Sequence, residues 1–140
     1  MRSSPPPAGS RTWTRRLGAA MSRVYAVRGA TTIDADSRED VVSGTQTLLR
    51  ELLDRNDLAP DDLVSIVFTA TDDIHAEFPA AAARLMGLDV PLLCARELDV
   101  TSSLAVPRCI RVLVHCYAER RPQPVYLNDA SRLLDPPDPA

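Results

Sequence analysis

VSIVFTA, residues Val64–Ala70, is the stretch that decides the fold. It is a continuous apolar run of strand length, rich in β-branched residues, and such a run is expected in a strand buried on both faces. Upstream, Pro60 opens a short acidic turn. Before it Val41, Val42, Thr45, Leu48, Leu49 and Leu52 recur at helical spacing up to Asn56, and Ser37 followed by Asp40 forms a capping pattern. Further back, SRVYAVRGA (Ser22–Ala30) is short, β-branched and aromatic, and predicts a first strand. Downstream, a second helix is predicted from Pro79, tolerated in a first turn, to Gly87, where a left-handed cap is easy. VPLLCA (Val90–Ala95), CIRVLVHCY (Cys109–Tyr117) and PVYL (Pro124–Leu127) predict three more strands. Strands alternating with two helices indicate the α/β class or an α+β mixed sheet with helices, and no internal repeat is visible.

The 140 residues suit one domain. Six of the 12 prolines fall in residues 1–7 and 136–140, so the ordered domain is expected over residues 22–134. Residues 1–21 read as a disordered basic extension and 135–140 as a proline-rich tail. All 16 basic residues are arginine, which removes Schiff-base chemistry, a P-loop lysine and an amine base together. Two histidines, His75 and His115, leave little for a catalytic triad or a His-rich metal cage. Residues 1–20 carry four arginines and no acid, so the remainder holds 12 basic and 19 acidic residues, or −7, which disfavours nucleic acid as a partner of the folded part. No apolar run approaches the roughly 18 residues of a membrane span, and the basic N-terminal stretch lacks a signal peptide's apolar region. The chain therefore reads as soluble and cytoplasmic. Cys94, Cys109 and Cys116 are odd in number without a CxxC pair, and read as free thiols.

The chemistry has to come from arginine, carboxylate, tyrosine and cysteine. Arg28 ends an apolar strand and Arg111 sits inside another between Ile110 and Val112, where an unpaired charge is costly. Each has three readings: an internal ion pair with Glu97 or Asp99, a strand face that is simply solvated, or convergence on an anionic ligand whose carboxylates suit the planar guanidinium fork. Glu97 in ARELD projects from a strand end, and Tyr126 in PVYL is placed either to hydrogen-bond a ligand or to satisfy itself on backbone. Cys94 reads as core filler. DDIHAE (Asp72–Glu77) gathers carboxylates around one imidazole, but acidic residues before a helix are explained by its macrodipole, and no metal site is expected.

VRGATT (Val27–Thr32), FTATDDIHAEFPAAAAR (Phe68–Arg84), VPLLCARELDV (Val90–Val100), PRCIRV (Pro107–Val112) and VYL (Val125–Leu127) occur in order over nearly all of residues 23–134. Together they resemble the signature segments of the AroH-type chorismate mutases. The resemblance implies a homotrimer of pseudo-α/β-barrel shape with active sites between subunits, and the rearrangement of chorismate to prephenate without cofactor, metal or covalent intermediate. Carried over by position, it implies that Arg111 hydrogen-bonds the ether oxygen, that Glu97 accepts the ring hydroxyl with the Cys94 side chain nearby, and that Leu93 lines the same strand. It further implies that Arg28 and Tyr126 hold the enolpyruvyl carboxylate, while Phe78, Ala80 and Arg84 arrive from a neighbouring subunit.

The chain also departs from the family pattern. Ala81 stands where relatives can carry a charge, Leu134 where an arginine is common before Pro-Asp, and Ser102 and Ser103 where glycine-type residues are usual. Ala105 and Val106 are additional before PRCIRV, and Arg132 lies two residues before Leu134. These changes leave room for an alternative, a trimer that binds chorismate or a dicarboxylate as a sensor or pathway partner. A trimeric imine-deaminase type of protein is a third class, sharing only an interfacial arginine.

Overall fold

A computed structural model describes residues 22–101 and 106–134, which leaves the two terminal segments and residues 102–105, Ser102, Ser103 and Ala105 among them, outside the described residues. Among them, β1 (Arg23–Thr32), β2 (Leu63–Ala70), β3 (Leu92–Arg96), β4 (Cys109–Ala118) and β5 (Val125–Tyr126) form one mixed sheet in the order β3-β2-β4-β1-β5. The long central strand β4 runs antiparallel to β1 and β2, and the parallel pairs β2/β3 and β1/β5 lie toward the edges.

Helix α1 (Arg38–Arg55) begins as its sequence demands. The Ser37 hydroxyl accepts the Asp40 amide at 3.1 Å, and the Asp40 carboxylate returns to the Ala35 amide at 3.0 Å. Its apolar stripe, Val41, Leu48, Leu49 and Leu52, is buried. The short helix α2 (Ala80–Leu85) starts after Pro79 and stops where Gly87 adopts φ +78°, so that the Leu88 amide turns back to the Ala83 carbonyl at 3.1 Å. Both helices cover one face of the sheet, enclosing Val27, Ile66, Phe68, Val112, Val114 and Cys116. No helix among the described residues is long and apolar enough to cross a membrane.

The expectation that Val64–Ala70 is buried on both faces is corrected here. Ile66, Phe68 and Ala70 are buried beneath the helices, whereas Ser65, Val67 and Thr69 are only half-buried. The reason is that, among the described residues, the second face is covered at one end alone. There the 3₁₀ segment Asn128–Leu134, unannounced by periodicity, packs Ala130 onto Ala30, Cys109 and Val106. It is anchored by the Asn128 amide group on the Thr32 carbonyl at 3.1 Å.

The loop from Thr71 to Pro79 is fixed by carboxylates rather than by apolar packing. Asp73 accepts the Thr71 hydroxyl at 2.6 Å and the Arg108 amide at 2.9 Å. Asp36 receives the His75 and Ala76 amides, each at 2.9 Å, and Glu77 takes the Phe78 amide at 2.8 Å while pairing with Arg38 at 2.9 Å. The amides of His75 and Ala76 hold the Asp36 carboxyl below its ordinary value of 3.8. Burial works to raise Asp73, but the Thr71 hydroxyl and the Arg108 amide outweigh it and hold that carboxyl low as well.

Two measurements follow from this architecture. A Cβ on Gly29 would stand 2.9 Å from Leu52 Cδ1 and 3.2 Å from both Leu48 Cδ1 and Val112 Cγ2. Gly29→Ala is therefore expected to cost on the order of 1–3 kcal/mol in urea denaturation, because these neighbours are close-packed. Lowered carboxylates stabilise above their ordinary values and lose that contribution as pH falls through the lowered ones. The gap in urea midpoint between Asp36→Asn and wild type should be open at neutral pH and narrow as pH falls below the ordinary carboxylate value of 3.8. An unchanged gap would remove the anchor role of Asp36.

Candidate active site

Strand register assembles the site. Tyr126 pairs with Ala30, Ala30 with Arg111, Arg111 with Thr69 and Thr69 with Ala95, so these residues form one row across the sheet. The next row on the same face runs Arg28, Leu113, Val67, Leu93. Cross-strand partners share a face, and diagonal neighbours lie roughly 7–8 Å apart, within reach of long side chains. Arg111, Arg28, Tyr126 and Leu93 thus stand on the face that the helices leave open.

Glu97 completes this group from just beyond β3. Its amide donates to the Ala70 carbonyl at 3.0 Å, which turns the chain at the strand end. Its carboxylate folds back over the sheet, with Oε2 accepting the Thr69 hydroxyl and Oε1 facing Arg111 Nη1 at 3.4 Å. The Arg111 side chain remains 43% exposed and that of Glu97 22%, so the pair is long and wet and contributes little stability. Of the readings left open for Arg111, the internal ion pair with Glu97 is present and the strand face is also partly solvated, with the Arg111 side chain 43% exposed. The result is an open-faced patch with one anchored carboxylate and two arginines, suited to a small dianion that also carries a hydroxyl.

Other expected site residues lie elsewhere. Alternation along β3 sends Cys94 to the helix-covered face opposite Phe68, where it packs against the apolar core, because Leu93 and Ala95 take the open face. The expected placing of its side chain beside Glu97 and Arg111 is corrected accordingly. Cys94 instead borders a cleft of about 460 Å³ together with Ile74, His75, Phe78 and Arg96. Phe78 is 67% exposed and Arg84 is exposed on α2, across the sheet from Arg111. Ala80 is only 3% exposed and belongs to the core, so its methyl group does not line an open pocket. His115 lies on the open face with its Nδ1 3.2 Å from the Ser65 hydroxyl. Burial pushes the Cys109 thiol up to about 11 against the opposing influence of Arg111, and raises Cys116 to about 11, so neither is a thiolate at neutral pH. Thr69 was not singled out from the sequence. Its signal is a polar residue, one of two with Ser65, on the open-face phase of an otherwise apolar strand.

Comparisons with known proteins identify the family. The sequence profile of the family described as Chorismate mutase type I matches residues 24–136. Chorismate mutase AroH from Bacillus subtilis (strain 168) is 41% identical over 65% of this chain and 72% of its own. Chorismate mutase AroH from Thermus thermophilus is 41% identical over 79% of this chain and 93% of its own. A solved chorismate mutase from Clostridium thermocellum superposes with a TM-score of 0.73 at 41% identity, over 76% of this chain and 97% of its own. With the profile spanning most of the molecule, this chain belongs to the type I chorismate mutase family.

Proposed function

We propose that the Arg111 row is the wall on which this chorismate mutase converts chorismate to prephenate, a step of aromatic amino acid biosynthesis. The observation that carries the reading is a half-exposed guanidinium, 3.4 Å from an anchored carboxylate, on an open and otherwise largely apolar sheet face. In the rearrangement the ether C–O bond breaks as a C–C bond forms, with no net proton transfer, so no acid, base, metal or covalent group has to take part. What the reaction needs is a compact substrate conformer and positive charge beside the ether oxygen, where negative charge develops.

Arg111 supplies that charge. A preorganised donor aimed at developing charge is typically worth on the order of 3 kcal/mol of barrier. Glu97 accepts the ring hydroxyl and so fixes the ring, while Arg28 and Tyr126 hold the enolpyruvyl carboxylate above it. Restricting the flexible side chain in this way is an orientation effect that adds to the electrostatic one. Cys94 enters through its backbone as part of the β3 frame, since its thiol faces the core.

We further propose that the assembly is a cyclic homotrimer of pseudo-barrel shape, in which a second copy closes each site. Large apolar side chains support this: Phe78, Leu93, Leu98 and Val100 are all more than 60% exposed, at 67%, 62%, 86% and 63%. The residues expected from a neighbour, Phe78 and Arg84, stand across the sheet from their own Arg111 and are free to reach another copy's. Ala80 then serves as the small buried foot of α2 that lets these two project. The type I match and the open arginine face favour catalysis over a sensor that merely binds a dicarboxylate.

Loss of chorismate ultraviolet absorbance measures the reaction directly. Arg111→Ala is expected to lower kcat/KM by on the order of a hundredfold or more while remaining folded and trimeric by light scattering. Citrulline at position 111, which keeps the shape and removes the charge, should fail nearly as badly. Cys94→Ser should retain turnover. Near-normal activity of Arg111→Ala would overturn this mechanism, and slow turnover with no preference for a transition-state analogue would point to the sensor.

A further inference from the structure

We infer that Thr69 is a positioning residue that keeps Glu97 from neutralising Arg111. This rests on the reading of Arg111 and Glu97 as the reacting wall and deepens it. Thr69 lies directly opposite Arg111 in the β2/β4 ladder, and opposite Ala95 on the other side, so its backbone is paired on both flanks. As a β-branched residue in a strand it has few χ1 choices. Its hydroxyl is therefore a fixed donor, and it is spent on Glu97 Oε2.

The consequence concerns the ion pair. Carboxylate and guanidinium groups left to themselves adopt a bidentate fork, with both oxygens on the arginine. Here Thr69 occupies Oε2 and the amide of Glu97 is tied to the Ala70 carbonyl, so Arg111 meets Oε1 alone, at 3.4 Å. Arg111 keeps donors directed away from Glu97, and Oε1 keeps a lone pair for the substrate hydroxyl. Without the Thr69 hydroxyl, Glu97 is freed to rotate onto Arg111, which screens the charge that the ether oxygen requires. The effect falls on the transition state more than on substrate capture, which also draws on Arg28 and Tyr126.

Thr69→Val keeps the shape and removes the donor. Its kcat for chorismate is expected to fall about tenfold with KM changed less than threefold, in keeping with the loss of one hydrogen bond to a charged group. Thr69→Ser, which restores the hydroxyl, should recover most of that loss. In a Glu97→Ala background the valine substitution should add less than a twofold further effect, since its route of action is gone. Crystal structures of wild type and Thr69→Val provide a second readout that does not depend on turnover: Glu97 is expected to move from Thr69 onto a bidentate pair with Arg111 in the variant. Unchanged kcat in Thr69→Val, equal losses in the valine and serine variants, or an unmoved Glu97 would each overturn the inference. Wild-type protein that leaves chorismate untouched would instead sink the functional reading, while the movement of Glu97 would still decide the role of Thr69.

Discussion

A guanidinium inside an apolar strand needs water or a partner, and the structure is arranged around how Arg111 meets that need. Burial under the helices would have forced a tight internal ion pair, with the charge used up in compensating its own desolvation. Instead β4 turns Arg111 to the face that α1 and α2 leave uncovered, while Ile110, Val112 and Val114 fill the opposite side. The helix-side core thus provides a rigid plate, and the arginine stands out from it without leaving the sheet. Glu97 is close enough to orient the guanidinium and too loosely paired to neutralise it, at 3.4 Å.

This arrangement explains why the remaining features sit where they do. Register brings Tyr126 and Arg28 to the same open face from β5 and β1, although they are 98 positions apart in the chain. The 3₁₀ segment Asn128–Leu134 covers the end of that face around Ala30. On the other side the carboxylate-pinned loop Thr71–Pro79 presents Phe78 largely outward, at the rim of the cleft it lines with Ile74 and Cys94. An open charged wall and an outward aromatic prong on one molecule are complementary when cyclic symmetry repeats them, which is the physical content of the proposed trimer.

Much of the fold was legible in the sequence because local signals and tertiary contacts agree. The Ser37 cap, the stripe of α1 and the stop at Gly87 all fall where capping chemistry and periodicity place them. The sequence could not reveal that the apolar run Val64–Ala70 has one poorly covered face, since a strand covered on both faces and one covered on a single face read alike when both carry apolar residues. The 3₁₀ segment was invisible for a related reason: seven residues with only three apolar ones among them carry no usable period. At the site, family resemblance named Arg111, Glu97, Arg28 and Tyr126, and register brings them to one face. Cys94 failed in its side chain because a one-residue step along a strand reverses the face. Ala80 lies in the core, a placement that its alanine-rich surroundings in the sequence do not distinguish from a pocket wall. Thr69 escaped notice because its partner lies 28 residues away and only the β2/β3 pairing brings them together.

The central claim is that one copy's Arg111 works with another copy's Arg84, and subunit complementation tests it most directly. Arg111→Ala and Arg84→Ala are each prepared alone, co-expressed in equal amounts, and assayed for chorismate consumption per trimer. Two impaired parents that together recover roughly a quarter of wild-type activity, the share of interfaces receiving both intact residues under random cyclic mixing, would bear the account out. Mixed trimers with no more activity than the mean of their parents would contradict it, since every site would then be built from a single chain.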